Sequence, residues 1–160
     1  MMNKFLKVLL VFFFFSLASC VNGKSFENNS EYLAAKNGNV DAQYNVAMNF
    51  LNGLDGFPMD EREAKKWFEV AAEKGDAPAQ NGLGIMYLRG MGGEQNIEKS
   101  EYYYRLAANQ GHSNAQLQLA LILLDKGADL KEVRYWLEKS KAQDNDEAKE
   151  KLSELNEIIK

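Results

Sequence analysis

The chain has 160 residues, only two prolines and a formal net charge of −4. This length predicts one domain with a hydrophobic core of moderate size. The acidic balance and the lack of a lysine or arginine cluster argue against a nucleic-acid-binding surface and against electrostatic attachment to an anionic membrane. Few prolines and abundant alanine, glutamate, lysine and leucine indicate a helical protein.

The first 19 residues have the pattern of a secretory signal peptide. Lys4 and Lys7 provide a positive start, and the uninterrupted apolar run VLLVFFFF follows over residues 8–15. This run is too short to span a bilayer as a stable helix. We therefore expect residues 1–19 to be removed and leave them out of the fold prediction.

The four residues Leu17-Ala18-Ser19-Cys20 resemble the lipobox of bacterial lipoproteins. The resemblance implies cleavage before Cys20 and a diacylglycerol on its sulfur; the alternative is an ordinary secretion signal with a chance cysteine. Cys20 is the only cysteine, so an internal disulfide is impossible. The residue after Cys20 is Val21 and not the aspartate that signals retention in enterobacterial sorting rules. By similarity to those rules, Val21 implies a periplasm-facing outer-membrane lipoprotein. Membrane contact is expected only through this anchor.

Residues 20–30 are polar and lack periodicity, which predicts a lipidated cysteine followed by a short tether. Removing Lys4 and Lys7 from the 19 basic residues leaves 17 against 23 acidic ones, so the exported part carries a charge of about −6. The folded part is expected to occupy residues 31–160.

From there the chain repeats itself at a regular interval. Gly38, Gly75 and Gly111 are each followed four residues later by Ala-Gln, then by an aliphatic, a small and a large apolar residue. A degraded fourth copy has Asp144 in the glycine position. Such a period is typical of stacked helical pairs, because one pair cannot bury its apolar faces alone.

In each repeat, the segment that starts at the glycine forms the first block, and its spacing places the apolar residues on one helical face. In the first copy these are Ala42, Val46, Ala47 and Phe50. The small residue of each set, at Ala47, Gly84 or Ala120, lets a neighbouring helix approach closely. Gly75 and Gly111 come where a helix ends, which predicts a left-handed backbone conformation there.

A second block lies between these copies and carries a bulky aromatic residue. The aligned aromatics are Trp67, Tyr103 and, more loosely, Trp136, each followed one turn later by small residues. We expect this aromatic to fill the core. Since three successive residues cannot share one helical face, Tyr102 or Tyr104 is expected at the surface.

The pattern G-D-x-x-A-Q-x-x-L-G-x-x-Y-x-x-G over residues 75–90 is similar to the Sel-1-like repeat, a relative of the tetratricopeptide repeat. The resemblance covers roughly residues 31–149 and implies an all-α fold, a right-handed α-solenoid of paired antiparallel helices. It implies three repeats at about 38–74, 75–110 and 111–143, with a C-terminal capping helix at 144–160. A short leading helix is expected at 31–37. The third unit lacks the glycine-rich turn, so its loop near Gly127 is expected to be tighter.

The chain contains no catalytic constellation that the spacing supports. His112 is the only histidine and follows a repeat glycine, which favours a role at a helix start. Asp60, Glu61 and Glu63 open a helix, where acidic side chains favour the dipole. The glycines at 90–93 lack the Lys-Ser/Thr of a phosphate loop. We expect no enzyme activity, no cofactor, no metal site and no small-molecule substrate.

Function therefore reduces to recognition of another protein. The family resemblance implies that the first helix of each pair lines an inner, concave face. Nine residues on these helices lie off the core stripe: Tyr44, Asn45, Met48, Asn49, Asn81, Ile85, Arg89, Leu117 and Leu121. Several are apolar where a solvated helix would carry charge, which is typical of a partner site. For Ile85, Leu117 and Leu121 the alternative is packing against adjacent helices.

Three functions remain open at this stage. The first is an envelope adaptor that binds another protein without catalysis. The second, implied by resemblance to small lipoproteins encoded beside antibacterial effectors, is a periplasmic immunity protein that neutralises a type VI or contact-dependent toxin such as a phospholipase. The least favoured is a hydrolase, because the chain has no Ser-x-x-Lys motif.

Overall fold

Residues 25–158 are described by a computed structural model of the chain. A 3₁₀ helix, Ser25–Asn28, precedes eight α-helices. They are α1 (Ser30–Lys36), α2 (Val40–Asn52), α3 (Glu61–Glu73), α4 (Ala77–Arg89), α5 (Ile97–Asn109), α6 (Ser113–Asp125), α7 (Leu130–Lys141) and α8 (Asp146–Ile158). No strand occurs within 25–158, and no helix there is long and apolar enough to cross a membrane. The predicted signal peptide and lipidation site at Cys20 lie outside the described residues.

The residue directly after each repeat glycine position is the N-cap of the helix that follows, and the same holds after Asp144 in the degraded fourth position. The side chain of this residue accepts a backbone N–H three residues later: Asn39 from Ala42 at 2.8 Å, Asp76 from Ala79 at 2.6 Å, His112 from Ala115 at 3.3 Å and Asn145 from Ala148 at 3.0 Å. Such caps satisfy donors that a helix start leaves free. The helix-start interpretation of His112 is confirmed. Burial lowers the pKa of its imidazole, in keeping with a neutral ring whose Nδ1 accepts.

The turns between repeats use the left-handed backbone that the closing glycines predicted. Gly75 and Gly111 both have φ of 90°. Asp144, in the degraded fourth position, keeps the left-handed conformation with φ of 59° although it has a side chain. The backbone of the fourth repeat start is therefore preserved where its sequence has diverged.

The helices pack in chain order to form an α-solenoid. The pairs α2–α3, α4–α5 and α6–α7 each pack together, and each second helix also contacts the first helix of the following unit. In addition, α4 contacts α6 directly. This is the predicted all-α fold of three helical pairs. The leading helix at 30–36 and the capping helix α8 are also present, and Ala148, Leu152 and Leu155 of α8 are buried. Ile159, the last residue predicted for that stripe, lies outside the described residues.

A close contact between α4 and α5 sets the core of the second pair. A Cβ added at Gly84 would lie 2.6 Å from Cδ1 of Tyr104, so the tyrosine ring rests directly on the glycine backbone. Beside it, the Ser100 hydroxyl donates to the Gly84 carbonyl at 2.8 Å. The prediction that a small residue here permits close helix approach is confirmed.

In the first two units the aromatic residue that fills the core is one position later than the sequence pattern predicted, whereas Trp136 of the third unit is buried as predicted. Phe68, Tyr104 and Leu137 are fully buried, whereas Tyr103 is half-buried and Tyr102 is 58% exposed. The choice of Tyr103 as the core aromatic was therefore wrong. The α5 face that meets Gly84 presents Tyr104, because the space left by the missing side chain accepts a ring.

The repeated Ala-Gln pairs tie each unit to the helix before it. In every copy the buried glutamine amide donates to a carbonyl eight residues earlier: Gln43 to Ala35 at 3.0 Å, Gln80 to Ala72 at 3.2 Å and Gln116 to Ala108 at 3.2 Å. These carbonyls are at the ends of α1, α3 and α5, where helices lack intrahelical donors. The motif thus fixes the angle at which successive units join.

The folded part begins earlier than the predicted boundary at residue 31. Phe26, only 7% exposed, stacks on Phe57 of the long first turn with ring centroids 4.7 Å apart and meets Phe50 edge-on at 5.2 Å. Asn29 then caps α1 by accepting from the Glu31 N–H at 2.8 Å. Residues 26–30 therefore belong to the fold, since the apolar turn offers Phe26 a site that the local polarity did not reveal.

The loop of the third unit is tight, as its missing glycines predicted. It occupies residues 126–129, between the end of α6 at Asp125 and the start of α7 at Leu130. The corresponding turns of the first two units run over residues 53–60 and 90–96.

Candidate protein-binding groove

A groove of about 250 Å³ lies where α4 and α6 meet. Its walls come from four helices: Asn81, Ile85, Leu88 and Arg89 of α4, Asn114, Leu117 and Gln118 of α6, Tyr104 of α5 and Glu147 of α8. The groove forms because α4 and α6 belong to successive units and present their outward faces side by side.

The groove contains polar atoms whose hydrogen bonds are not completed by the protein. Asn81 Oδ1 is buried and has no partner within 25–158. The Tyr104 hydroxyl makes no hydrogen bond within the same residues, and burial raises its pKa to about 12 while the nearby Arg89 opposes the rise. The hydroxyl therefore stays protonated at neutral pH and is available as a donor. One free acceptor and one free donor thus belong to residues that line the same groove.

The rim of the groove carries both signs of charge. Arg89 is exposed and forms no ion pair in the described residues, while Glu147 lies on the α8 side. Ile85 and Leu88 are half-buried, which leaves apolar surface in the same groove. Apolar surface accompanied by charged residues of both signs is a composition found at protein interfaces.

Four of the nine predicted partner residues line this groove. Asn81, Ile85 and Arg89 project from α4, and Leu117 from α6. Leu117 is only 2% exposed, so the packing alternative describes it and its side chain offers little surface to a partner. The binding role of the other three stays a prediction.

The remaining five predicted residues lie elsewhere. Tyr44 and Met48 are half-buried and pack against the core of the first pair, with the Tyr44 ring 5.8 Å from that of Phe68. Asn49 is buried at 8% exposure. Asn45 is exposed and donates to Glu31 at 2.6 Å, and Leu121 lines a separate small apolar cavity beside α8. The structure does not bring these five into the groove.

Sequence reasoning missed several residues that line the groove. Asn114 and Gln118 are one helical turn apart on α6, a spacing that marks a shared face. Tyr104 was missed because Tyr103 was assigned to the core. Glu147 was missed because α8 was regarded only as a cap.

The acidic helix start and the glycine-rich turn have structural roles. Asp60 caps α3 by accepting from the Arg62 and Glu63 N–H groups at 2.9 and 3.1 Å. The Gly92 N–H donates to the Glu61 carboxylate at 2.9 Å, so the turn is held against the preceding unit. No group of three or more metal-ligating side chains occurs in the described part of the chain.

Comparison with known proteins agrees with this architecture. The sequence profile of the Sel1 repeat matches residues 40–76, 77–112 and 113–145. The solved structure of a Sel1 repeat protein from Oxalobacter formigenes superimposes with a TM-score of 0.72 at 34% identity, covering 81% of this chain and 98% of that one. A protective antigen of uropathogenic Escherichia coli with an SLR fold gives a TM-score of 0.70 at 29% identity, covering 79% and 30%.

Curated relatives share only a segment with this chain. Chitin synthase regulatory factor 4 of Schizosaccharomyces pombe is 42% identical over 90 residues, which are 56% of this chain and 13% of that protein. The chain therefore spans only a small part of the length of the curated relatives it matches.

Proposed function

The chain belongs to the Sel1 repeat family, whose members generally mediate contacts between proteins, and we propose that it binds a partner protein through the groove between α4 and α6. It acts without catalysis, as an interaction module. The observation that carries this proposal is the free acceptor Asn81 Oδ1 beside exposed apolar surface. A peptide segment can donate a backbone N–H to this acceptor. Its side chains can also cover the apolar surface of the groove.

The test is a photo-cross-linking experiment with matched positions. A photoreactive residue replaces Ile85 in the groove or Val70 on α3, an exposed apolar residue outside the groove. Cross-linked adducts identified by mass spectrometry should form at position 85 and be absent at 70. Adducts at position 70 alone would place the partner at α3 and refute binding in the groove.

Affinity for the captured partner then measures the contribution of the groove. Arg89→Glu reverses an exposed charge at the rim and should weaken binding about tenfold, as expected for a charge that participates in recognition. Arg62→Glu, at an exposed position on α3, is the control and should change affinity little. Equal losses in the two variants would indicate general electrostatics instead of a groove contact.

We further propose that the protein faces the periplasm from the outer membrane, attached through a lipid on Cys20. The support is the resemblance of Leu17-Ala18-Ser19-Cys20 to a lipobox, followed by Val21. The folded part would then meet its partners in the envelope.

An immunity role is the second candidate, favoured by the acidic charge of the exported part. A charge of about −6 steers a basic partner toward the protein and accelerates its association. Deletion should harm the cell only when neighbours deliver a matching effector, and the purified pair should form a stable complex. A deletion strain that survives such competition as well as the wild type would contradict this role and leave the adaptor.

A further inference from the structure

We propose that a second cavity, separate from the groove, binds the carboxylate of an acidic side chain in a partner peptide. This cavity of about 350 Å³ lies between the end of α5, the start of α6 and α7. Tyr135, Trp136 and Lys139 of α7 form one wall. It shares no lining residue with the groove between α4 and α6.

The first argument is a buried donor without an acceptor. Trp136 is 7% exposed, and its indole Nε1 has no hydrogen-bond partner in residues 25–158. A buried N–H that lacks an acceptor is unfavourable and rare in folded proteins. A ligand oxygen that reaches the indole accepts this N–H, so the hydrogen bond that the free protein lacks stabilises the complex.

The second argument is that two acceptors in the cavity are already used and that none of its side chains is anionic. Gln116 Oε1 accepts from Gln143 Nε2 at 2.9 Å, and the Ala108 carbonyl accepts from Gln116 Nε2 at 3.2 Å. No aspartate or glutamate lines the cavity. The cavity therefore contains a free buried donor and no anionic acceptor, and the matching ligand supplies an anionic acceptor.

The third argument is an uncompensated positive charge. Lys139 Nζ lies 5.5 Å from the centre of the Tyr135 ring and forms no ion pair with another described residue. One lysine and one indole match the single charge and the oxygens of a carboxylate. A phosphate, with a charge near −2, would call for further cations. Because the chain as a whole is acidic, an acidic peptide is attracted here by this local charge only.

Comparison between the repeats shows that this chemistry is particular to the last junction. At the equivalent positions one unit earlier, Tyr103 stands for Trp136 and Leu106 for Lys139, and Glu73 stands for Asn109. The same helix arrangement thus carries an anion and no cation there. The donor and the lysine are therefore not requirements of the repeat fold.

Trp136 itself reports on the proposed contact. The chain has two tryptophans, so Trp67→Phe leaves a single indole N–H resonance in a ¹⁵N–¹H spectrum. Titration with acetyl-Ala-Glu-Leu-amide should shift this resonance downfield and saturably, because the N–H gains an acceptor. The neutral peptide acetyl-Ala-Gln-Leu-amide should bind about tenfold more weakly.

Charge variants on α7 separate the cavity from general attraction. Lys139→Gln should weaken binding of the glutamate peptide about tenfold, whereas Lys141→Gln, an exposed lysine outside the cavity, should not. Both replace surface lysines, so the fold is retained. The proposal is overturned if the indole resonance does not move, if both peptides act equally, if both variants lose equally, or if inorganic phosphate alone gives the shift.

Discussion

At the scale of single residues, the contact between Gly84 and Tyr104 decides how closely α4 and α5 pack. The ring lies where a Cβ at position 84 would sit, 2.6 Å from the nearest ring carbons. The same ring forms part of the groove, so its position links core packing to the candidate site. A change at Gly84 therefore acts on stability first and on the groove as a consequence.

Gly84→Leu should destabilise the protein by about 1–3 kcal/mol or more, because overfilling a tight core forces side chains and backbone apart. Urea unfolding followed by circular dichroism measures this change. Gly82→Ala is the milder comparison, since an added Cβ there would lie 3.1 Å from the edge of the Phe68 ring and that ring needs to shift only slightly. If Gly84→Leu melts like the wild type, the helix register drawn from the repeat is incorrect.

Single residues also show which contacts could be predicted from the sequence and which could not. The small residue at Gly84 and the cap at His112 follow from local patterns, and both are present. Tyr103 and Tyr104 are adjacent and chemically identical, so periodicity alone separates them only if the helix phase is known to within one residue. That phase depends on which helix face meets α4, which is a property of the packed pair.

At the scale of helices, glutamine side chains form a chain of contacts across successive units. Gln110 donates to Gln80 Oε1 at 2.7 Å, and Gln143 donates to Gln116 Oε1 at 2.9 Å. The first junction departs from this arrangement. Lys74 occupies the aligned position and donates to the Gly38 carbonyl at 2.9 Å, and Gln43 Oε1 is left buried without a partner in the described residues.

Lys74→Gln should therefore stabilise the first junction. The new amide supplies the donor that Gln43 Oε1 lacks, and a net gain of about 1 kcal/mol is expected, reduced by loss of the exposed contact to Gly38. Chemical denaturation measures the free energy of unfolding. Lys141→Gln, which removes an exposed lysine elsewhere, controls for the change in net charge. Equal stability of the two variants would show that the orphaned oxygen costs nothing.

The sequence predicted the presence of the helices better than it predicted the contacts between them. Helix starts, closing glycines and the short third loop are encoded within a few residues, so a repeat period reveals them. The groove brings together α4, α5, α6 and α8, and its free acceptor at Asn81 is visible only when all four are in place. Asn49 illustrates the limit, because its helical position looked open but its side chain is buried.

At the scale of the whole molecule, the start of the fold limits how far it can stand from a lipid anchor. Phe26 is held in an aromatic cluster with Phe50 and Phe57, and it lies only six positions after Cys20. A fully extended chain of this length reaches about 20 Å. An anchor at Cys20 would therefore keep the first helical pair close to the membrane surface, with the groove one unit further along the array.

Two variants separate this anchor from the fold. Cys20→Ser should move the protein from the membrane to the soluble periplasmic fraction without changing its melting temperature, because the helices and core that are described lie within residues 25–158. Phe26→Ala should do the opposite, lowering stability by about 3 kcal/mol through the cavity it leaves while membrane fractionation is retained. Fractionation with immunoblotting and thermal unfolding measure the two effects independently. Unchanged membrane fractionation of Cys20→Ser would refute the lipid anchor. An unchanged melting temperature of Phe26→Ala would show that residues 26–30 belong to the tether and not to the fold.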